Sequence, residues 1–387
     1  MAFLHNKLMI VGAMNNIYID IIEQLAANSP LVLATVVRTK GSTPQKPGSS
    51  ALFCKNGLLA GTVGGGIVEA RVLDAALESI SSGNSTLLKV SLSNDISNKE
   101  EAICGGEIAV LIDANLQNYM QVFAELNGSL EKRTPGVLVT MVSPFSEKIS
   151  LVNRYWMSSA SKPVIPAFFM EKIEPEVDRI ISSGDPSSFC ELELEIPGEE
   201  PSSLFFLEPV FPMPELIIAG AGHIGKALSH LGKMLGFNVI VIDDRPEFAN
   251  SENIPDARKI IVDDIGKAME DIEKNHDTFV VIVTRGHKDD AMALRPCIGT
   301  DLAYTGMIGS RKKIAAMRSD FIEKGWATAQ QWEKIYAPVG IDIKSQTVEE
   351  IAVSIAAQLV LVKNSPKTED GRPKTEDGRI EGERGNK

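Results

Sequence analysis

The stretch from Glu215 to Arg245 constrains the fold more than any other part of this chain. An apolar run, Leu216 to Ala219, leads into Gly220-Ala221-Gly222-His223-Ile224-Gly225. A helical segment that ends at Gly236 follows, and then a second apolar run that ends at Asp243. A G-x-G-x-x-G pattern is weak evidence by itself, but this order of strand, glycine turn, helix and strand predicts a βαβ unit. We therefore predict an α/β protein whose second half is a Rossmann-like, doubly wound parallel sheet.

Each glycine of this turn has an expected role in a βαβ unit. Gly220 makes the tight turn, Gly222 lets a phosphate approach the backbone, and Gly225 lets the helix pack closely on the strand. The N–H groups at the start of the helix, beside His223, then face a bound anion. The turn is thus predicted to bind a phosphate or a nucleotide, and an ordinary βαβ turn without a ligand is the alternative.

Residues beyond the turn indicate which ligand such a unit would bind. Asp243 lies about 20 residues after the glycines, where an acidic residue usually binds a ribose hydroxyl. Arg245 leaves room for a 2′-phosphate, so NAD(P) or another nucleotide is a candidate cofactor. A further apolar run, Thr278 to Val283, precedes a loop that contains His287. Ligands of open α/β sheets bind beyond the carboxyl ends of the strands, so His287 is either a proton donor there or a structural hydrogen-bonding residue.

Three cations follow the next predicted strand. The sequence Gly309-Ser310-Arg311-Lys312-Lys313 comes after an apolar run around Leu302 to Ile308. If Ser310 caps the helix that follows, these cations occupy its first turn, which opposes the helix dipole. Their placement favours an anion bound beside Gly309, Ser310, Arg311 and Lys312, and solvated surface side chains are the alternative.

Composition narrows the class of protein. The 387 residues include 39 Lys+Arg and 51 Asp+Glu, a formal net charge of -12, which argues against a broad nucleic-acid or membrane surface. The four cysteines show no metal-binding or iron–sulfur spacing, so we predict no metal site, no disulfide framework and a reducing cytoplasm. No apolar run reaches the roughly 20 residues that a membrane span needs, and the first residues lack a signal peptide's apolar core.

Changes in composition also divide the chain. We expect an N-terminal α/β domain over residues 1–208, a proline-rich linker over 209–214, the Rossmann-like domain over 215–363 and a disordered polar tail over 364–387. In the first domain we predict a hairpin that turns at Asn56-Gly57 and a helix around Lys172 to Ile181. A capping box at Thr347 to Glu350 predicts a final helix that is largely buried, against its own domain, the other domain or a second chain.

Two loops of the N-terminal half are rich in turn residues. The first runs from Arg38 to Gly48, and the second, Gly61-Thr62-Val63-Gly64-Gly65-Gly66, opens a predicted helix from Ile67 to about Ile80. Glu69 lies in the first turn of that helix, on nearly the opposite side from its polar stripe. It either caps the helix N-terminus, where a carboxylate is favourable, or lines an anion pocket built from the glycines.

Several motifs in a fixed order are far more specific than any one of them. They are Val36 to Pro44 with Pro47-Gly48, Gly61 to Glu69, Cys104-Gly105-Gly106, the glycine turn with Val241 to Phe248, the Arg-Gly-His loop with Asp290, Gly309 to Lys313, and Ala337 to Ile343. Together they resemble the XdhC/CoxI family, the xanthine dehydrogenase accessory proteins, over nearly all of residues 30 to 362 apart from the middle section. One departure is Lys344-Ser345-Gln346, where the family has a turn that is richer in glycine and contains proline.

The resemblance implies a function that the motifs alone do not give. Such proteins bind the molybdenum cofactor, a molybdopterin, protect it while its terminal sulfur is installed, and hand it to a molybdenum hydroxylase such as xanthine dehydrogenase. A cysteine desulfurase as a further partner and a homodimer are expected. In the N-terminal domain the implied cofactor-binding residues are Arg38, Gly41, Ser42, Gly64, Gly65 and Gly66. An NAD(P)-dependent oxidoreductase and a regulatory nucleotide-binding module remain the alternatives.

Cys104 is the strongest candidate for direct chemistry, beside Glu69 and His287. It precedes two glycines, so backbone N–H groups and cations such as Arg38 would stabilise its thiolate. That thiolate would ligate molybdenum or carry sulfur during the exchange, an interpretation that the resemblance strengthens. The alternative is an inert core residue, since free cysteines are among the most buried residues.

Overall fold

The computed structural model describes residues 17–92, 106–143, 151–195 and 203–365. The chain divides into two compact units between Pro212 and Met213. The first unit combines helices with two antiparallel sheets, and the second has a parallel sheet with helices on both faces. The predicted α/β class and the Rossmann-like, doubly wound sheet are therefore confirmed.

The described part of the first unit contains nine strands and four helices. The strands are β1 (Leu31–Lys40), β2 (Ser50–Cys54), β3 (Gly57–Gly61), β4 (Thr86–Ser91), β5 (Glu107–Asp113), β6 (Gly136–Ser143), β7 (Leu151–Ser158), β8 (Cys190–Leu194) and β9 (Ser203–Val210). The helices are α1 (Ile17–Ala26), α2 (Ile67–Ser82), α3 (Met120–Glu131) and α4 (Ala167–Ser183). The sheets have the orders β3-β2-β1-β5-β4 and β7-β6-β9-β8. The hairpin predicted at Asn56-Gly57 is confirmed as β2–β3, and α4 begins earlier than predicted.

The five-stranded sheet is packed on both faces. Val32, Ala34 and Val36 of β1 pack against α2 through Val68 and Val72, and this spacing puts the apolar residues on one side of the helix. The opposite face packs on the four-stranded sheet. Alternate residues of β1 therefore point to different apolar layers, which explains why the strand is almost uniformly apolar up to Val37.

Strand β1 contains a β-bulge just before its end. Arg38 lies opposite Ala109 of β5, and Val37 is the extra residue of the bulge. In a regular strand Arg38 would share the face of Val36, toward α2, because side chains alternate. The bulge instead puts Arg38 and Lys40 on the face of Ala109, and bulges commonly re-aim a side chain in this way.

The connection between the units is shorter than the linker expected over 209–214. Strand β9 continues to Val210, and Pro209 lies opposite Val137 of β6. The pairing of β9 with β8 ends at Leu207, so Pro209 has a strand on one side only in this part of the sheet. Proline is tolerated at such a position because it need not donate to a second neighbour.

The described part of the second unit contains five strands and six helices. The strands are β10 (Glu215–Ala219), β11 (Asn238–Asp243), β12 (Lys259–Val262), β13 (Thr278–Ile282) and β14 (Tyr304–Met307). The helices are α5 (His223–Met234), α6 (Ile265–Asp271), α7 (His287–Leu294), α8 (Arg311–Glu323), α9 (Ala329–Trp332) and α10 (Val348–Asn364). The strands are parallel in the order β12-β11-β10-β13-β14. A disordered tail was predicted over residues 364–387. Residue 364 is the last residue of α10, and residues 366–387 lie outside the described residues.

Strand β10 shows why this sheet is doubly wound. Leu216 and Ile218 belong to an apolar cluster with α5 and α10. Ile217 and Ala219 belong to another cluster, with α6, α7 and α8. The helices that follow β10 and β13 thus lie on opposite faces of the sheet. The topological switch point lies between the carboxyl ends of these two strands, where open α/β sheets bind ligands.

Helix α10 begins at the predicted capping box, Thr347 to Glu350, and packs within its own unit against α5 and the sheet. Its polar residues Ser354 and Gln358 are buried. The Gln358 Oε1 atom accepts hydrogen bonds from the Tyr304 hydroxyl at 2.6 Å and the Gly340 N–H at 2.8 Å. The polar stripe of this helix therefore serves internal hydrogen bonds rather than solvent.

Candidate functional site

The glycine turn of the second unit lies at the switch point. Gly220 has a φ of +117°, and a Cβ atom there would lie 2.5 Å from the carbonyl oxygen of Val283. A Cβ atom on Gly225 would lie 1.9 Å from the carbonyl oxygen of Gly220, so α5 can approach the turn this closely only without a side chain. Among the described residues, no atom lies within 4 Å of the Cβ position at Gly222. The turn is thus packed on its inner side and has free space where a phosphate is predicted to approach.

Helix α5 begins directly at this space. Gly222 is its N-cap, with an extended backbone, and His223 is its first residue and is exposed. The first N–H groups of a helix have no partner within the helix, and the helix dipole adds partial positive charge to them. This end of α5 can therefore accept an anion, and the ligand-binding role of His223 stays a prediction.

Asp243, at the end of β11, is almost fully buried and its carboxylate is already hydrogen-bonded. Its Oδ2 atom accepts the Ala221 N–H at 2.7 Å, and its two oxygens accept the Arg245 Nε and Nη2 groups at 2.8 Å each. Burial alone would raise the pKa of Asp243, but the hydrogen bonds from Arg245 and Ala221 outweigh it and hold the pKa below its ordinary value. Asp243 thus fixes the glycine turn, and binding a ribose would require it to exchange bonds with Arg245.

Asp244 and Arg285 were not predicted as site residues. Asp244 is exposed after β11, and its Oδ2 atom lies 2.6 Å from the Nη2 atom of Arg285, which follows β13. Since β10 lies between these strands, the ion pair joins loops on both sides of the glycine turn. In the sequence, the second carboxylate of the Asp243-Asp244 pair could have indicated an exposed acid at this edge of the sheet.

A buried carboxylate lies at the ends of β13 and β14. Asp290, in the first turn of α7, has no exposed surface, and it accepts the Thr284 hydroxyl at 2.5 Å. It also forms an ion pair with Lys313 of α8, whose side chain is 28% exposed. The cations predicted from the sequence as site residues were Arg311 and Lys312 instead, because no local pattern shows which of three consecutive cations turns inward.

The remaining predicted residues of this unit lie around that pair. Ser310 caps α8, as predicted, by accepting the Lys313 N–H at 3.3 Å. Gly309 lies against Ile314, where a Cβ atom would come within 2.8 Å of the side chain. Arg311, Lys312 and the first residue of α7, His287, are exposed. These positions put exposed cations and an imidazole at the carboxyl edge of the sheet, and their roles in binding or chemistry stay predictions.

The motifs of the first unit meet at one end of its five-stranded sheet. A Cβ atom on Gly64 would lie 2.7 Å from Cγ of Pro44, and one on Gly106 would lie 2.3 Å from the carbonyl oxygen of Ser42. The loop from 41 to 48 therefore packs against both the second glycine loop and the last glycine of the C-G-G element. Gly41 has a φ of +73° within this loop. Cys104 itself lies outside the described residues, so its predicted role is neither supported nor opposed.

The glycines before α2 leave free space. Among the described residues, no atom lies within 4 Å of the Cβ positions of Gly65 and Gly66, and Gly66 is the N-cap of α2, without a side-chain cap. Glu69 lies in the first turn and is half-buried, on the flank of the face that Val68 and Val72 bury. Because Glu69 is partly exposed, it can either cap the helix N-terminus or line an anion pocket, and both interpretations stay predictions.

Arg38 forms a bidentate ion pair within the first unit. Its Nε atom donates to Glu191 of β8 at 3.1 Å, and its Nη2 atom donates to the other oxygen of the same carboxylate. These hydrogen bonds raise the pKa of the Arg38 guanidinium above its ordinary value. A ligand anion at Arg38 would therefore meet a guanidinium that is already oriented and partly neutralised by Glu191.

Two further features bear on the class of site. Within the described ranges, no group of three His, Cys, Asp or Glu side chains is arranged to hold a metal ion. No helix in those ranges combines the length and the apolar character that crossing a membrane requires.

Comparison with known proteins gives matches over both units. Residues 216–359 match the XdhC Rossmann domain, and residues 24–91 match the XdhC and CoxI family. A Bacillus subtilis (strain 168) protein, named as a probable xanthine dehydrogenase subunit, is 25% identical over 331 residues, which are 85% of this chain and 92% of that protein. The crystal structure of a xanthine dehydrogenase from Bacillus halodurans has a TM-score of 0.70 and 25% identity, covering 89% of this chain and 95% of that one.

A longer relative matches as well. The uncharacterised protein YqeB of Escherichia coli (strain K12) is 23% identical over 351 residues, which are 90% of this chain but 47% of that protein. This chain thus spans about half the length of that relative. The two family matches together cover more than half of the residues and coincide with the motifs of both units. The chain therefore belongs to the XdhC and CoxI family.

Proposed function

We propose that this protein is an accessory factor that binds the molybdenum cofactor, supports its sulfuration and inserts it into a molybdenum hydroxylase such as xanthine dehydrogenase. Membership of the XdhC and CoxI family supports an accessory role, as do relatives whose names contain xanthine dehydrogenase. A cysteine desulfurase is the proposed sulfur source, and the proposed assembly is a cytoplasmic homodimer.

The free space at Gly222 carries this proposal. Molybdopterin has a phosphate group. The glycine turn is tightly packed at Gly220 and Gly225 but has free space at Gly222, before the start of α5, and this free space is where the phosphate would bind. The N–H groups at the start of α5 would hold that phosphate. The exposed side chains of Arg311 and Lys312 would offset the remaining negative charge.

The chain's own residues would bind and orient the cofactor, which when bound supplies the molybdenum centre that the client requires. Asp243 would keep the glycine turn in one conformation through its bond to the Ala221 N–H. Asp244 and Arg285 form an ion pair across the glycine turn. This ion pair would limit the binding site on the side of β11. Cys104 stays the proposed thiolate for molybdenum or for sulfur transfer, and Glu69 and His287 stay candidates for proton handling.

A nucleotide at the same crevice is the second candidate, with NAD(P)-dependent oxidoreduction as its function. The observation in its favour is the group of acids at the end of β11, where Asp243, Asp244 and Glu247 surround Arg245. Carboxylates accept hydrogen bonds from ribose hydroxyls and repel a 2′-phosphate, so this edge favours NAD over NADP. Asp244 is exposed and is therefore better placed than Asp243 to bind the ribose.

Identifying the ligand distinguishes the two functions. The protein would be purified, denatured, and its released small molecules identified by mass spectrometry. Molybdopterin or its dinucleotide is expected, and addition of the loaded protein to cofactor-free hydroxylase should restore its activity. Release of NAD alone, together with a failure to activate the hydroxylase, would support the second candidate and reject the first.

Substitution of Gly222 tests the site itself. Gly222→Val should fold, because its φ of -70° suits any residue and the Cβ position is unobstructed, but it should lose the ligand. Gly128→Val is the matched control, since Gly128 in α3 also has free space at its Cβ position among the described residues. A Gly222→Val protein that retains its ligand would exclude the glycine turn as the binding site.

A further inference from the structure

The first unit contains a cavity of about 380 Å³ at one end of its five-stranded sheet. Its lining consists of Arg38–Lys40 at the end of β1, Lys89–Ser91 at the end of β4, and Glu107–Ala109 at the start of β5. Strands β1 and β4 both run toward this end and flank β5. Apart from Arg38, none of these residues has a role in the function proposed above.

The strand register defines the floor and the walls of the cavity. Arg38 and Lys89 lie opposite Ala109 on its two sides, so the three side chains form one row on the same face. Neighbouring strands are about 4.8 Å apart, which puts the backbones of Arg38 and Lys89 about 10 Å apart. Because Ala109 is small and 8% exposed, it forms a low floor between two long cationic side chains.

The next row closes one end of this space. Lys40 and Ser91 lie opposite Glu107, and Lys40 reaches this face only because of the bulge at Val37. The bulge therefore adds two cations, Arg38 and Lys40, to a face that regular alternation would have given to other residues. Bulges occur more often than average beside active sites, and this one changes the charge of a cavity.

The local charge is less negative than that of the whole protein. Three cations, Arg38, Lys40 and Lys89, stand against Glu107 in the lining and against Glu191 and Glu193 beside Arg38. The complete chain has a formal net charge of -12. Within an acidic chain, a cleft that gathers three cations favours ligands of complementary charge, so the cavity should attract an anion.

Glu191 also orients one of the cations. It holds the planar guanidinium of Arg38 through two hydrogen bonds from β8, and an arginine fixed in this way loses less entropy when it binds an oxyanion. Lys89, on the other side of Ala109, is a compact charge on a flexible stem. The pair suits a tetrahedral anion that rests over Ala109 and contacts a cation on each side.

We infer that this cavity is a binding site for the phosphate group of a small phosphomonoester. This site is separate from the one proposed at Gly222 for the phosphate of molybdopterin, and it goes beyond that proposed function. The inference that a phosphate binds here rests on the row of Arg38, Ala109 and Lys89 and on the third cation, Lys40, in the next row.

Direct binding measurements on the full chain test this inference. The probes are fluorescent 6-hydroxymethylpterin, its monophosphate, and inorganic pyrophosphate as a competitor. The Gly222→Val background removes the anion site proposed in the second unit, so that remaining binding reports on the first unit. In that background the monophosphate should bind, pyrophosphate should displace it, and the unphosphorylated pterin should bind at least about tenfold more weakly, because a charge-assisted hydrogen bond is lost.

Two substitutions should weaken the binding for different reasons. Lys89→Met removes one cation and should weaken monophosphate binding about tenfold and reduce its salt dependence. Ala109→Leu raises the floor and should abolish binding without removing a charge. Lys172→Met, at an exposed position of α4, is the control and should bind like its parent, and thermal unfolding checks that each variant is folded.

The outcomes separate this inference from the proposed function. Equal affinity for the phosphorylated and unphosphorylated pterin would overturn it, as would unchanged binding in folded Lys89→Met and Ala109→Leu proteins. Loss of all monophosphate binding in Gly222→Val would also overturn it and would assign the phosphate to the Rossmann unit instead. Release of NAD rather than molybdopterin from the purified protein would reject the proposed function but not a phosphate site in the cavity.

Discussion

Removing the charge of Lys313 should destabilise the second unit more than removing the charge of its partner, Asp290. Asp290 is fully buried, and the Lys313→Met variant would leave its carboxylate with the Thr284 hydroxyl but without the cation. Breaking a buried ion pair at one partner costs about 3–5 kcal/mol. Folded domains have free energies of unfolding of about 5–15 kcal/mol, so this loss would be a large part of the total.

Removing the charge of Asp290 instead leaves Lys313 without its partner, and an unpaired Lys313 costs less free energy than an unpaired, buried Asp290. The Lys313 side chain is 28% exposed, so in Asp290→Asn its ammonium can turn to solvent, while the carbonyl oxygen of the new amide side chain can still accept from Thr284. We expect a loss of about 1.5–3 kcal/mol, the range for one hydrogen bond to a charged group. The double variant, Asp290→Asn with Lys313→Met, removes both charges and should be more stable than Lys313→Met alone.

Urea unfolding of the four proteins at pH 7 measures this cycle. Trp326 and Trp332 lie in the second unit and Trp156 in the first, so fluorescence and circular dichroism together distinguish the two transitions. The reasoning holds that the unpaired buried carboxylate determines how much stability is lost. Equal losses of unfolding free energy in the two single variants, or additive losses in the double variant, would refute it. A folded double variant also permits a binding test, because it lacks the Lys313 ammonium without carrying an unpaired buried charge.

Three further changes give simpler tests. Gly225→Ala should lower the melting temperature and abolish ligand binding, because its Cβ atom would lie 1.9 Å from the Gly220 carbonyl oxygen; an unchanged melting temperature would contradict this. Gly106→Ala should destabilise the first unit by displacing the loop at Ser42, whose carbonyl oxygen would lie 2.3 Å from the new atom, and limited proteolysis within residues 41–48 should detect it. Burial raises the pKa of Glu208 from 4.5 to about 6, so the folded protein holds this proton more tightly and loses about 2 kcal/mol of stability as pH rises from about 4.5 through 6. Glu208→Gln should remove that loss, with a higher urea midpoint at pH 7.5 but not at pH 4, and equal effects at the two pH values would refute it.

The sequence predicted the glycine turn well because its constraints are local. The spacing of Gly220, Gly222 and Gly225 specifies a backbone path that few other residues permit, and the apolar runs on either side define the strands. The state of Asp243 was not predictable in the same way. Its carboxylate bonds to Ala221, 22 residues earlier, and to Arg245, two residues later, and only the folded turn brings these groups together.

The phosphate cavity was not predictable for a different reason. The face on which Arg38 lies depends on a bulge in the pairing of β1 with β5, and these strands are far apart in the sequence. Lys89 gave no signal, because a single lysine in a strand usually marks a solvent-exposed position. Its proximity to Arg38 follows from strand order, with β5 between β1 and β4, and no sequence pattern encodes that order.

The distribution of charge along the Rossmann crevice restricts how a ligand can bind. At the β11 end, acids outnumber cations: Asp243, Asp244 and Glu247 surround Arg245, and Asp289 pairs with Arg285. At the β14 end, Lys313 pairs with Asp290, Arg311 lies near Asp342, and Lys312 is exposed. A ligand with a hydroxyl-rich end and an anionic end is therefore favoured in one orientation, with its hydroxyls toward β11 and its negative charge toward the glycine turn and β14. A ligand with anionic groups at both ends would meet repulsion at β11, so under the nucleotide hypothesis we expect a 2′-phosphate to be disfavoured there.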